Sequence, residues 1–276
     1  MSTLDEEKCK ELRKRVFLTG YKGGMAHLAS CFSSIEIIYT LYLKGILKYD
    51  VQNPETNERD RFVLSKGHAG LALYSVLELA GIISKTEMDS YLNCKDGIGG
   101  EPNLGDAKGI EASTGSLGHG LSLAVGMAIA QKYDGKGLKT YVLIGDGESQ
   151  EGSIWEAAMS ASNFALDNLF VILDYNKLQK TSRVEETLKH VDWAEKWTSF
   201  GWNVYMADGH NVEQLGNIFK SLKANGKPTI IIAETIKGKG VSIMENNPKW
   251  HFKIPTTKEL SYFMKELGIS AMELEV

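Results

Sequence analysis

Residues 144–177 read IGDGESQEGSIWEAAMSASNFALDNLFVILDYNK, and the punctuation of that stretch decides the fold. The apolar run Tyr141 to Ile144 has strand length and composition and runs straight into Gly145, Asp146 and Gly147. Two glycines around an acid suit a tight turn whose backbone N–H groups can approach a phosphate closely. A helix is expected to start near Ser153, because Ser153 and Glu156 have the S-x-x-E spacing of a capping box. A second apolar run, Leu169 to Leu173, ends in Asp174, Tyr175 and Asn176. Two neighbouring strand ends thus deliver Asp146 and Asn176 to one edge of a sheet. In open α/β sheets the edge at the carboxyl ends of parallel strands is where ligands bind.

A carboxylate, an amide oxygen and a phosphate together make an oxygen-only site of the kind that magnesium or calcium prefers. Asp146 set against a bare pyrophosphate would repel it, so a bridging cation is required. This separates the turn from a dinucleotide fingerprint, and no G-x-G-x-x-G follows any expected strand. Taken alone, Gly-Asp-Gly is also the pattern of an ordinary tight turn beside an unrelated asparagine.

Outward from the centre, residues 4–18 have helical spacing, Thr19 to Ser30 is expected as a glycine-bearing loop, and a helix follows through Ile35, Ile38, Leu41 and Tyr42. Tyr49 to Asp60 is turn-rich. Arg61 to Ser65 reads as a strand leading through Lys66, Gly67 and His68 into a helix ending near Gly81, and a short helix is expected at Thr86 to Leu92. Residues 93–117 form a long glycine-bearing loop, a length that usually marks function or disorder. Helices at Gly118–Lys132, 192–200 and 212–222 and strands at Asn203–Met206 and Thr229–Ala233 complete the alternation, with helical periodicity again at Thr256 to Leu267. Alternation of this kind predicts one α/β domain over 1–276: a doubly wound, mainly parallel sheet with helices on both faces.

The formal charge of -4 on 276 residues and the ordinary apolar content give no support for nucleic acid or an anionic membrane as partner. Cys9, Cys31 and Cys94 are odd in number and far apart, which suits a reducing compartment and argues against a disulfide framework or zinc site. The opening MSTLDEEKCK is charged and lacks an apolar core, so no signal peptide is expected, and Leu121 to Ala130 is too short to span a bilayer. A cytoplasmic protein is expected.

The Gly-Asp-Gly turn followed at about thirty residues by Asn176 resembles the thiamine-diphosphate signature. The wording GDGESQEGSIWEAAMSASNFALDNL resembles the transketolase family in particular, over almost the whole chain. The resemblance implies thiamine diphosphate held through magnesium (or calcium) by Asp146, Asn176 and the carbonyl of Leu178, with Gly145, Gly147 and Glu148 on the cofactor side of the turn. AHLASCFSSIEI implies His27 on substrate and Ser30 on cofactor. FVLSKGHAG implies Lys66 and His68 beside the diphosphate and the reacting carbon, and EASTGSLGHG implies cofactor contacts from Gly115, Ser116 and Leu117. ETIKGKG and KWH supply Lys237 and the catalytic His251; His27 and His251 are expected as donors or proton shuttles. Glu151 is expected to face a partner and couple active sites. His119 is as readily structural, whereas His190 and His210 match nothing and are expected at the surface.

Two departures from the family pattern concern substrate. Where the family reads GHP, this chain has Gly100, Glu101, Pro102, an acceptor in place of a donor. Where the family reads WHG, Phe252 follows His251 and adds a ring at the substrate entrance. Both point away from ordinary pentose phosphates, toward two-carbon ketol transfer on a specialised sugar. A second reading keeps the cofactor and changes the donor, for example to pyruvate; a third is a paralogue that binds cofactor without turnover. The resemblance also implies a missing half. The glutamate that activates the cofactor comes from a pyrimidine-binding domain, so activity is expected only with a C-terminal transketolase subunit of about 300 residues, as a dimer of heterodimers.

Overall fold

The computed structural model describes residues 3–24, 27–93, 97–180, 182–189 and 192–274; Cys94 and His190 lie outside them. In chain order the elements are α1 (Thr3–Lys22), α2 (Leu28–Leu43), β1 (Arg61–Leu64), α3 (Gly70–Leu79), α4 (Lys85–Asp89), α5 (Gly120–Asp134), β2 (Thr140–Gly145), α6 (Gly152–Asn163), β3 (Leu169–Tyr175), α7 (Val184–Thr187), α8 (Trp193–Ser199), β4 (Asn203–Asp208), α9 (Val212–Ser221), β5 (Thr229–Glu234), α10 (Leu260–Leu267) and α11 (Ala271–Leu274). The strands form one five-stranded sheet in the order β1-β2-β3-β5-β4, and every neighbouring pair is parallel.

Parallel strands buried on both faces need side chains that are apolar in both directions, which is why the strands read as continuous Val, Ile, Leu runs. Phe62, Leu64, Tyr141, Leu143, Phe170, Ile172 and Ile231 point to one face and pack with α1, α2, α3, α9 and α10. The alternate residues Val63, Val142, Ile144, Val171, Leu173, Ile230 and Ile232 point to the other and pack with α5, α6 and α8. The chain therefore steps across the sheet from β1 to β3 on one face and returns from β4 to β5 through α9 on the other. That is the doubly wound arrangement expected from the alternation of elements. No helix among the described residues is long and apolar enough to cross a membrane.

Two local expectations differ from the structure. The loop expected at Thr19–Ser30 is mostly helix, because α1 runs to Lys22 and α2 begins at Leu28. The capping box expected at Ser153 and Glu156 does not form. Helix α6 begins at Gly152 with Glu151 in the capping position, and Ser153 Oγ instead donates to the Gly118 carbonyl at 2.9 Å. Ser153 is thus already inside the helix, past the position whose side chain accepts from the first free N–H groups.

Candidate active site

Four strand ends converge at the carboxyl edge: β1 continues into Ser65–His68, β2 into Gly145–Glu148, β3 into Asn176–Leu178, and β5 into Thr235–Gly238. At their centre Lys66, 1% exposed, meets Asp174, which is wholly buried. Lys66 Nζ donates to the Asp174 carboxylate, to Ser34 Oγ at 3.1 Å and to the Ser30 carbonyl at 3.3 Å. Asp174 also accepts from Ser33 Oγ at 2.7 Å and from Thr235 Oγ1. Burial pushes the Asp174 carboxyl up, but Lys66 and the hydroxyl donors outweigh it and hold the group below its ordinary value. Lys66, expected beside a diphosphate, is thus directed into the protein, and its charge underlies the site.

Asp146 is 2% exposed and accepts from the backbone N–H groups of Gly147 (2.8 Å) and Lys177 (2.6 Å). Asn176 Oδ1 accepts from Leu178 N–H at 3.1 Å, and the Leu178 carbonyl accepts from Lys237 Nζ at 3.4 Å. The turn that gathers these oxygens needs a left-handed residue, and Lys177 takes it with φ +66. Each oxygen keeps a second lone pair directed away from its single protein donor. Burial, reinforced by Asp174, pushes the Asp146 carboxyl up to about 7, which is the signature of a carboxylate short of positive charge. Among the described residues no group of three or more His, Cys, Asp or Glu side chains could hold a metal by themselves. One carboxylate, one amide oxygen and one carbonyl suit a hard cation whose remaining ligands are phosphate oxygens and water. The three residues therefore fit the expected metal, provided an anionic cofactor completes the shell.

Glu148, expected as a cofactor contact, spends its carboxylate on the protein. Oε1 accepts from Ser65 Oγ and from Gly118 N–H at 2.9 Å; Oε2 accepts from Gly145 N–H at 3.0 Å. The donors come from the ends of β1 and β2 and from the turn before α5. One buried carboxylate thereby ties together three of the segments expected to face the cofactor. Burial raises its carboxyl above the ordinary value, and the three donors pull the other way.

His27, His68 and His251 form a cluster with ring centroids 5.2–5.7 Å apart, and Phe252 packs on His27 at 4.8 Å. Burial first, then the Lys237 charge, lowers His27 to about 4 and His251 to about 3; burial and Lys66 hold His68 well below its ordinary value. All three rings are neutral at neutral pH. Lys237 Nζ lies 3.0 Å from His251 Nδ1, so the ammonium donates there and the ring carries its proton on Nε2. Burial and Lys66 lower Lys237 itself to about 8. Lys66 is paired with Asp174, whereas among the described residues Lys237 bonds only to the neutral Leu178 carbonyl and His251 Nδ1, so it is the buried cation best placed to meet an anion in the cleft.

Gly67 packs on the Thr114–Gly115 backbone, where a Cβ on Gly67 would lie 2.6 Å from Gly115 N. Gly115, at φ +134, lies under the Glu101 side chain, and a Cβ there would sit 2.0 Å from Glu101 Oε2. This brings the segment Gly115, Ser116, Leu117 and the exposed Glu101 to the β1 end of the cleft. Glu151 is exposed at the start of α6 and takes no part in the cluster. His119 caps no N–H of α5, and its Nδ1 faces the Leu117 carbonyl at 3.1 Å.

His210 is not a surface residue. Its side chain is 12% exposed, Nδ1 is 2.9 Å from Glu36 Oε2, and Nε2 accepts from Ile236 N–H at 2.8 Å. Glu36 and Arg13, an ion pair at 2.7 Å, hold it from below. The buried acid Asp174 was also missed as a site residue. Its signal was present, since a charge closing the apolar run LFVILD is rarely buried without a partner.

The family described as transketolase, thiamine diphosphate binding domain, matches residues 20–276. An apulose-4-phosphate transketolase subunit from Phocaeicola vulgatus is 40% identical over 271 residues, 98% of this chain and 96% of that protein. The 6-deoxy-6-sulfo-D-fructose transketolase subunit SqwG of a Clostridium species is 41% identical over 231 residues, 83% of this chain and 84% of that one. The transketolase structure from Campylobacter jejuni superposes with a TM-score of 0.87 at 27% identity, covering 98% of this chain but 44% of that chain. The chain is a thiamine diphosphate-binding α/β protein and belongs to the transketolase family of transferases. It spans nearly all of the Phocaeicola protein and less than half of the Campylobacter transketolase.

Proposed function

We propose that this chain is the cofactor-holding subunit of a two-chain transketolase that moves a two-carbon ketol unit between sugars, at least one of them specialised. The observation that carries the reading is the junction of two buried lysines, three neutral imidazoles and the Asp146–Asn176–Leu178 oxygens at one sheet edge. When bound, thiamine diphosphate supplies the nucleophilic carbon and electron sink for cleaving the bond beside a ketone. Asp146, Asn176 and the Leu178 carbonyl would hold magnesium (or calcium), which would neutralise the charge of the diphosphate, and Lys237 would add positive charge to the same site. His251 offers Nε2–H to a substrate oxygen; His27 and His68, neutral and desolvated, accept or donate without carrying charge. Phe252 narrows the entrance over His27.

The Phocaeicola and Clostridium relatives, themselves named as subunits, support a separate partner chain, here a C-terminal transketolase subunit in a dimer of heterodimers. Leu123 and Tyr133 on α5 and Met159 on α6 are exposed at 45%, 84% and 54%, which suits a covered face beside Glu151. The free thiols Cys9 and Cys31 suit a cytoplasmic setting. The test is co-purification with the product of the neighbouring reading frame, assayed with magnesium and thiamine diphosphate. The donor panel holds xylulose 5-phosphate, apulose 4-phosphate, 6-deoxy-6-sulfofructose, a plain ketose and pyruvate. Turnover only with both chains, on a branched or sulfonated ketose, is the expected result. Turnover by this chain alone refutes the two-chain reading, and a preference for pyruvate refutes ketol transfer.

A further inference from the structure

We propose that His210 is a positioning residue: through its Nε2 lone pair it fixes the backbone that places Lys237 against His251. Ile236 N–H donates to Nε2 at 2.8 Å, and the next side chain, Lys237, reaches His251 Nδ1 at 3.0 Å and the Leu178 carbonyl at 3.4 Å. The rest of this segment is pinned by backbone bonds. Thr235 N–H donates to the Tyr175 carbonyl at 3.1 Å, Gly238 N–H to the Ala29 carbonyl at 3.0 Å, and the Lys237 carbonyl accepts from Asn246 N–H at 3.0 Å. At Ile236 the acceptor is instead a side chain from the β4–α9 connection.

The ring can accept there in one form alone. Glu36 Oε2, 2.9 Å from Nδ1, accepts a proton and offers none, so Nδ1 carries the hydrogen and Nε2 the lone pair. Arg13 Nη2 holds Glu36 Oε2 at 2.7 Å and the Phe32 carbonyl at 3.0 Å, which stops the carboxylate turning away. The order is therefore Arg13, Glu36, His210, Ile236, Lys237: a relay of orientation from helices α1 and α2 to the cleft. His210 itself is anchored by its N–H to Asp208 Oδ1 at 2.9 Å. It touches no expected cofactor ligand and acts only through the segment it holds.

Two substitutions separate this role from simple packing. Glutamine places an oxygen near the Nε2 position and keeps an acceptor for Ile236 N–H. Asparagine places an N–H near Nδ1 and keeps the Glu36 contact, but leaves Ile236 without an acceptor. In the full chain, amide hydrogen exchange at Ile236 is expected to stay protected in H210Q and to speed up about tenfold or more in H210N. The ¹⁵N shift of His251 Nδ1 is expected to move in H210N alone. With magnesium and the C-terminal partner present, H210N is expected to bind thiamine diphosphate about tenfold more weakly than H210Q, while the two variants melt within a few degrees of each other. The ordering rests on the cofactor reading, but the exchange and shift do not. Absence of cofactor binding in the wild type would refute that reading and leave His210 to be judged on them. Equal exchange, shift and affinity in the two variants would overturn the proposal, as would H210Q being the weaker.

Discussion

Replacing Glu148 with glutamine removes one acceptor and adds one donor at a point where three donors converge. In the better of the two amide orientations, the oxygen keeps Ser65 Oγ and Gly118 N–H, and the NH₂ group faces Gly145 N–H, now 3.0 Å from another donor. In the other orientation Ser65 Oγ can turn to accept from the NH₂ group, and Gly118 N–H is the donor left without an acceptor. With Glu148 2% exposed, water is poorly placed to repair either arrangement. Leaving one buried N–H unpaired costs about 1–3 kcal/mol, so about 2 kcal/mol and a melting temperature lower by about 4–8 °C are expected. S65A is the control, since it removes a donor and strands nothing charged, and should cost less. Thermal unfolding of wild type, E148Q, S65A and the double variant forms a cycle in which E148Q and S65A couple. Thiamine diphosphate affinity should fall in E148Q as well, because the loops at Ser65, Gly118 and Gly145 share one anchor. If E148Q is as stable as the wild type, the convergence of donors does not define the site and the reasoning fails.

Removing Lys66 strands the buried Asp174 carboxylate, so K66M is expected to lose about 3–5 kcal/mol, measured by urea unfolding, with the K66M/D174N pair losing less. Replacing Lys237 with methionine deletes the second cause of the low His251 value. An NMR titration should then find that imidazole above its present value of about 3 yet below 6.5, because burial persists. Glu36 is pushed up by burial but held net below 4.5 by Arg13 and His210. It therefore stabilises the fold above pH 4.5, and that contribution is lost as pH falls through the lowered folded value. Acid unfolding of E36Q should accordingly show a shallower limb below pH 4.5 than the wild type. D146N should abolish the magnesium dependence of cofactor binding, measured by titrating thiamine diphosphate with and without magnesium, because the amide removes the one carboxylate among the three candidate ligands.

The order of strands and helices, the parallel sheet and the edge that carries Asp146 and Asn176 were all legible in the chain. Each depends on local pattern: apolar runs of strand length, turn residues at their ends, and the fixed polarity of a β-α-β unit. His27, His68 and His251 were nominated by their motifs, and the structure brings them within 5.7 Å of one another. Tertiary structure alone decided how the charges are satisfied. Lys66 and Asp174 are 108 positions apart and Glu36 and His210 are 174 apart, and no periodicity links them. Ser153, at capping spacing, lies inside helix α6 rather than at its cap, and its hydroxyl donates to the Gly118 carbonyl of another segment. Local sequence determines backbone conformation and which face is apolar. Which buried charge meets which partner depends on where the packed layers bring distant residues, and the cost of leaving such a charge alone makes that pairing specific.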